Sequence, residues 1–246
     1  MGTGELRIAL LGPLDVRVDG EDRTPTAPRL LPLLAVLATR PGRPVQVDAL
    51  VTELWPEHAP HDVRRTLRTY VHHLRRGLAP ARVLTSSCGY ALELEPARVD
   101  VFAYRSLHQR GVELMARRDH PGAARAFRDA LDLWSGPPLS GVRCGPALSA
   151  YALHLLDQQR VTRGLRIEAE IAGGLHRELI GTLRSLTEAN PLDEGLHGQL
   201  IRVLGRCGRR SDAVESYRGL RARLLDELGV EPSDELQSLH RSLLAR

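Results

Sequence analysis

Between His61 and Leu78 the sequence lays out a helix with two unlike faces. At 100° per residue, Val63, Leu67, Tyr70, Val71, Leu74 and Leu78 gather on one side. Arg65, Arg68, Thr69, His72 and Arg76 gather on the other, with Arg64, His73 and Arg75 along its edges. Asp62 is the one acid of the segment and sits in the first turn, where it suits the helix dipole. A surface helix usually interleaves acids with its bases so that neighbouring turns pair. Here the cations repel one another until an anion arrives. Arginine, threonine and histidine also hydrogen-bond to base edges as well as to phosphates. The chemistry this pattern suits is recognition of a nucleic acid in a groove, rather than simple solvation.

The flanking elements are those that would carry such a helix to DNA. Leu6–Leu11 reads as a strand ending at Gly12-Pro13, and Leu14–Val18 alternates with period two up to the Asp19-Gly20 turn. An apolar helix runs from near Pro28 to Pro41-Gly42, and Pro32 fits in its first turn if the regular helix starts around Leu31. Val47–Trp55 is a short helix with Asp48 as its expected N-cap, stopped by Pro56. After the basic helix, Arg82–Thr85 and Tyr90–Leu94 are strand-like around Ser86-Ser87-Cys88-Gly89, a hairpin signature. Sheet, three helices and a hairpin, in that order, are the layout of a helix-turn-helix followed by a β wing.

A Pro-Ala-Arg connector at 96–98 divides the chain into a winged-helix DNA-binding domain, 1–98, and an all-helical domain, 99–246. The second half reads as helices near 100–118, 121–135, 145–172, 175–190, 193–207, 210–228 and 232–245, broken at Gly- and Pro-containing turns. Gly174–Ile180 recurs 34 residues later as Gly208–Val214, and the same offset maps Leu183 onto Tyr217 and Leu186 onto Leu220. That period belongs to tetratricopeptide helix pairs, whose stacked surfaces usually bind another protein. The fold class expected is therefore mainly α with a small β component: a winged helix-turn-helix, then a tetratricopeptide-like array.

Composition removes several alternatives. The 34 basic residues are all arginine, and the net charge is +4. Without lysine there is no P-loop, no Schiff base and no kinase strand lysine. Cys88, Cys144 and Cys207 are too scattered for a disulfide framework or a CxxC metal site. His58 and His61 are spaced like metal ligands but lack companions, and Ser149, His154 and Asp132 lack any nucleophile-elbow context. Trp55 and Trp134, at the ends of amphipathic helices, are expected as core anchors. No enzyme, cofactor or metal is expected. No apolar segment approaches a membrane span and no signal pattern opens the chain, so a soluble, cytoplasmic protein is expected.

The sequence resembles the Streptomyces antibiotic regulatory protein family. The residues that carry the likeness are Leu10–Val16, Val47–Trp55, Leu67–Leu78 and Gly89–Leu92 in the first half. In the second they are Ala130–Leu139, Asn190–Glu194 and Glu227–Pro232. The resemblance implies a bacterial transcriptional activation domain behind the winged helix. It also implies a pathway-specific activator of a secondary-metabolite gene cluster, which binds direct repeats in promoter DNA as two molecules in one orientation. RNA polymerase holoenzyme would be recruited through its sigma subunit. Arg65, Arg68, Thr69, His72 and His73 are expected at or near base edges; Arg64, Arg75 and Arg76 at phosphates; Arg82, Ser86 and Ser87 on the wing. The chain departs from the family pattern in two places. Leu30-Leu31-Pro32 stands where Gln-Arg is common, leaving Arg29 as the nearby cation, and His73 stands where arginine is common. A helical adaptor with weakened DNA binding therefore stays open beside the activator, as does a ligand-responsive regulator with a small molecule in the concave helical surface.

Overall fold

The computed structural model describes residues 5–79 and 82–245. By packing, the chain separates into two units. One comprises the residues up to Gln109 together with Asp129–Arg160; the other comprises Arg110–Arg128 and the residues from Val161 onward.

The first unit opens with an antiparallel sheet of β1 (Leu6–Ala9), β2 (Asp15–Val18) and β3 (Glu21–Asp22), in that order. Leu6 pairs with Val18 and Ile8 with Val16, so the alternation puts all four side chains into the core. Helix α1 (Leu30–Ala38) follows and is buried through most of its length, with Pro32 in the first turn, where its missing N–H costs no hydrogen bond. Next come β4 (Val45–Gln46), α2 (Val47–Leu54), α3 (Val63–Gly77), β5 (Arg82–Thr85) and β6 (Gly89–Glu93). The second sheet has the order β4-β6-β5.

The two-residue strand β4 explains one correction. The sequence points to Asp48 as the cap of α2, yet the helix begins at Val47 with extended Gln46 at its N-cap and Asp48 inside its first turn. Pairing of Val45 with Tyr90 and Gln46 with Gly89 commits the chain to strand geometry up to Gln46, and the helix starts directly from the strand. Gly89 is required by that approach, because a Cβ there would lie 1.8 Å from the Val45 carbonyl oxygen.

The core of this unit does not stop at the wing. It takes in Val99, Val101 and Tyr104 from the start of α4 (Asp100–Ala116), then Ala130, Leu139, Leu148 and Leu155. Asp100 accepts hydrogen bonds from the backbone N–H groups of Leu10 and Leu11 at 2.9 Å, and burial pushes its carboxyl above the usual range. Leu139 donates to the Leu10 carbonyl at 3.0 Å and Ser135 to that of Leu11 at 2.9 Å. Gly12 lies so near that a Cβ would meet the Ser135 hydroxyl at 1.9 Å. Glu53, 2% exposed, accepts from the N–H groups of Gly145 (2.6 Å), Ala147 (2.8 Å) and Leu148 (3.3 Å) at the head of α6 (Pro146–Ala172). It acts as an N-cap supplied from a different helix.

The second unit holds α7 (His176–Ala189), α8 (Glu194–Arg206), α9 (Arg210–Leu228) and α10 (Asp234–Leu244). Each of α7, α8 and α9 packs on its neighbour, and α10 closes on α8 and α9. The repeat is visible in the packing: α7 and α9 begin 34 positions apart, and Leu183 and Tyr217 are both buried. Tyr217 stacks on His240 with ring centroids 4.0 Å apart. Phe127, on α5 (His120–Leu131), packs with Ala123 and Ala169 so closely that a Cβ at Gly111 would lie 2.5 Å from its ring. The helix expected over 121–135 ends at Leu131, and a turn carries Trp134 to the edge of the Tyr104 ring, 5.5 Å between centroids. No described helix is long and apolar enough to cross a membrane.

Candidate nucleic-acid interface

Helix α3 is built as the wheel anticipates. Leu67, Val71 and Leu74 are each 1% exposed and anchor it to the core. Asp62 is the N-cap and not a first-turn residue, its carboxylate accepting from the Arg65 N–H at 3.0 Å, so the helix starts at Val63, two residues after the expected start at His61. Tyr70 stacks on Trp55, the C-cap residue of α2, with centroids 5.8 Å apart, and this fixes α2 against α3. Trp55 and Trp134 both belong to the packing of the first unit.

The opposite face is open. Arg64, Arg65, Arg68, Thr69, His72, His73, Arg75 and Arg76 are all exposed. Among the described residues, none of Arg64, Arg65, Arg68 and Arg76 has an ion-pair partner. Elsewhere arginines are commonly engaged: Arg17 holds Asp15, Arg221 holds Glu231 and Arg202 holds Glu235. The Thr69 hydroxyl donates to the Arg65 carbonyl at 3.2 Å, and the rings of His72 and His73 lie 6.0 Å apart. Four unpaired guanidiniums on one helix face form a concentrated positive surface without counter-charge.

Arg75 has a second task that sequence spacing does not announce. Its Nε donates to the Val83 carbonyl at 2.7 Å and its Nη2 to the Thr85 hydroxyl at 2.8 Å, tying α3 to the first wing strand. At the wing turn the Ser86 hydroxyl accepts from the Gly89 N–H at 3.1 Å and lies 3.2 Å from the Gly89 carbonyl, so it closes the turn. Ser87 is exposed at the tip, as is Cys88, whose sulfur is 3.5 Å from the Ser86 hydroxyl. Arg82 opens β5; its side chain lies outside the described residues. Arg29, the cation next to the departure at Leu30-Leu31-Pro32, turns to the Leu54 carbonyl. Leu30 and His73, at the two departures, line the same surface cleft. Among the described residues no group of three or more His, Cys, Asp or Glu is placed to hold a metal ion.

Residues 21–92 match the family described as transcriptional regulatory protein, C terminal, and residues 99–244 match the bacterial transcriptional activator domain. The chain is 34% identical to the regulatory protein DnrI of Streptomyces peucetius, over 97% of this chain and 92% of that one. It is also 34% identical to the regulatory protein AfsR of Streptomyces coelicolor, but spans 24% of that longer protein. A solved structure of Mycobacterium tuberculosis EmbR, in complex with a low-affinity phosphopeptide, superimposes with a TM-score of 0.92 at 32% identity. That superposition covers 98% of this chain and 65% of the EmbR chain. With both halves matched and the order of elements the same, the chain belongs to the Streptomyces antibiotic regulatory protein family of transcriptional regulators.

Proposed function

We propose that the chain is a sequence-specific DNA-binding transcriptional activator whose α3 enters the major groove. In this reading the residues up to 98 read DNA, and the helical residues from 99 onward engage RNA polymerase holoenzyme through its sigma subunit. The observation that carries the reading is the α3 face: four exposed arginines with no ion-pair partner among the described residues, flanked by Thr69, His72 and His73. Arg65, Arg68, Thr69, His72 and His73 serve as base-edge or near-base contacts. Arg64, Arg76 and the remaining Nη1 of Arg75 serve phosphates, with Arg82, Ser86 and Ser87 at the wing. One chain carries one α3 and covers one half-site, so direct-repeat DNA takes two chains in the same orientation. The products controlled are those of a secondary-metabolite cluster.

The test is a salt titration of binding to promoter DNA from the chain's own gene cluster. Three phosphate-contacting arginines, Arg64, Arg75 and Arg76, give a log–log slope of about −2.7 and a loss of roughly 40-fold in affinity between 50 and 200 mM salt. The double change Arg68→Ala with His72→Ala is expected to abolish discrimination against unrelated DNA. Unchanged promoter binding in that variant refutes the assignment of α3, and one protein per two-repeat site by mass measurement refutes the paired arrangement.

A further inference from the structure

A cleft of about 690 Å³ opens on one flank of α3. Its far wall is the irregular segment between β3 and α1, with Pro25 and Pro28, together with Leu30 at the start of α1; its near wall is Tyr70, Leu74 and Gly77 of the recognition helix. The volume is that of a site for one small organic molecule. Two prolines fix φ along the far wall, so the cleft stands open without needing to be ordered by its occupant. The polar groups on the lining are of one kind. Arg23, Arg29 and His73 supply basic nitrogens, Thr24 and Thr26 supply hydroxyls, and no acidic side chain lines the cleft among the described residues. Arg23 has an exposed partner in Glu21 at 2.9 Å, outside the lining, and Arg29 spends one Nη on the Leu54 carbonyl.

We infer that this cleft binds a small aromatic acid, a flat apolar body against Tyr70 and the prolines with one acidic group toward Arg23 and His73, and that the occupant opposes DNA binding. The first half stands on the cleft alone; the second rests on the proposed role of α3. Gly77 is one residue, about 100°, around the helix from Arg76, so the cleft faces away from the centre of the cationic surface. His73 is shared between them, one turn before Arg76. An acid held there puts negative charge beside Arg76, one of the proposed phosphate contacts, and occupies His73, so the two ligands compete in free energy.

The probe is 8-anilinonaphthalene-1-sulfonate, followed by fluorescence on the whole chain without DNA. N-phenyl-1-naphthylamine, the same body without the acid, is the control. One sulfonate probe per chain is expected, with the neutral control weaker by about tenfold. Gly77 lines the cleft and a Cβ there meets nothing within 4 Å, so Gly77→Leu adds bulk at one wall from a Cβ that has room. Ala27→Trp fills the cleft from the other, at an exposed residue. Both variants are expected to lower probe affinity by about tenfold or more while circular dichroism, melting and promoter binding match the parent. Arg23→Gln is expected to shrink the preference for the acid. Saturating probe is expected to weaken promoter binding several-fold, and promoter DNA to weaken the probe by the same factor. Absence of stoichiometric binding, or binding that both filling variants leave untouched, overturns the site. Probe binding with no effect on promoter affinity overturns the opposition to DNA. Because the probe is read without DNA, neither the site nor its failure depends on what α3 recognises.

Discussion

Replacing Glu53 probes the contact on which the head of α6 depends. The carboxylate is 2% exposed and holds three N–H groups, two of them first-turn donors of α6 that the preceding Gly145, with no side chain, cannot cap. Glu53→Ala leaves three donors facing a vacated space. One unsatisfied buried donor costs about 1–3 kcal/mol, and a water entering the gap recovers part of the sum, so the expected loss is roughly 3–5 kcal/mol. Glu53→Gln keeps the shape and one acceptor but turns an NH₂ toward an N–H, for an expected loss of about 2 kcal/mol. The exposed Glu57→Gln, four residues on, should stay within about 0.5 kcal/mol of the parent. The assay is urea unfolding read by tryptophan emission. Both tryptophans, Trp55 and Trp134, belong to the first unit, so the signal reports that unit alone. If both Glu53 variants unfold within 1 kcal/mol of the parent, about the lower bound for one unsatisfied donor, the capping account is wrong.

Arg75→Ala should loosen β5 and β6, seen as faster amide exchange in 82–93, and lower promoter affinity more than Arg64→Ala does; Arg75→Lys should not restore it, since one ammonium cannot reproduce the fork to Val83 and Thr85. Full rescue by lysine would show that charge alone matters at this position. Burial holds the His197 imidazole below its ordinary range, against an opposing pull from the Pro191 carbonyl, while Arg223 lowers it further and Asp193 raises it. A folded-state value below the unfolded one means stability that is present above the unfolded value of 6.5 and lost as pH falls through the folded value. Helical circular dichroism during urea unfolding should therefore show a loss between pH 7.5 and 5.5 that is smaller in His197→Leu; equal losses in the two proteins would exclude this histidine as the cause.

The strong periodicities were readable because they report burial directly. The α3 wheel, the alternation in β1 and β2 and the seven later helices lie within a few residues of where the pattern places them. The misses share one cause, dependence on a partner distant in sequence. Strand β4 is two residues long and exists only because β6 pairs with it, so no local signal marks it or the shift of the α2 cap from Asp48 to Gln46. No residue near Glu53 in sequence marks it as a buried cap, because its donors lie more than 90 residues away. Arg75 reads as one more cation on a basic edge until the wing brings Val83 and Thr85 beneath it. The expected helix over 121–135 continued an apolar pattern that Trp134 in fact completes from a turn, against Tyr104.

The core of the first unit carries a lesson for anyone who would recombine these regulators. A graft that exchanges the DNA-reading head with a relative's by cutting at the connector near residue 98 severs Val99, Val101 and Tyr104 from the strands they pack on, and strips Asp100 from Leu10 and Leu11. The head's interior is furnished in part by side chains encoded after the cut. A chimera that keeps Val99–Tyr104, Leu139, Leu148 and Leu155 with the head inherits a closed interior, whereas one divided at the connector must improvise it from a foreign sequence.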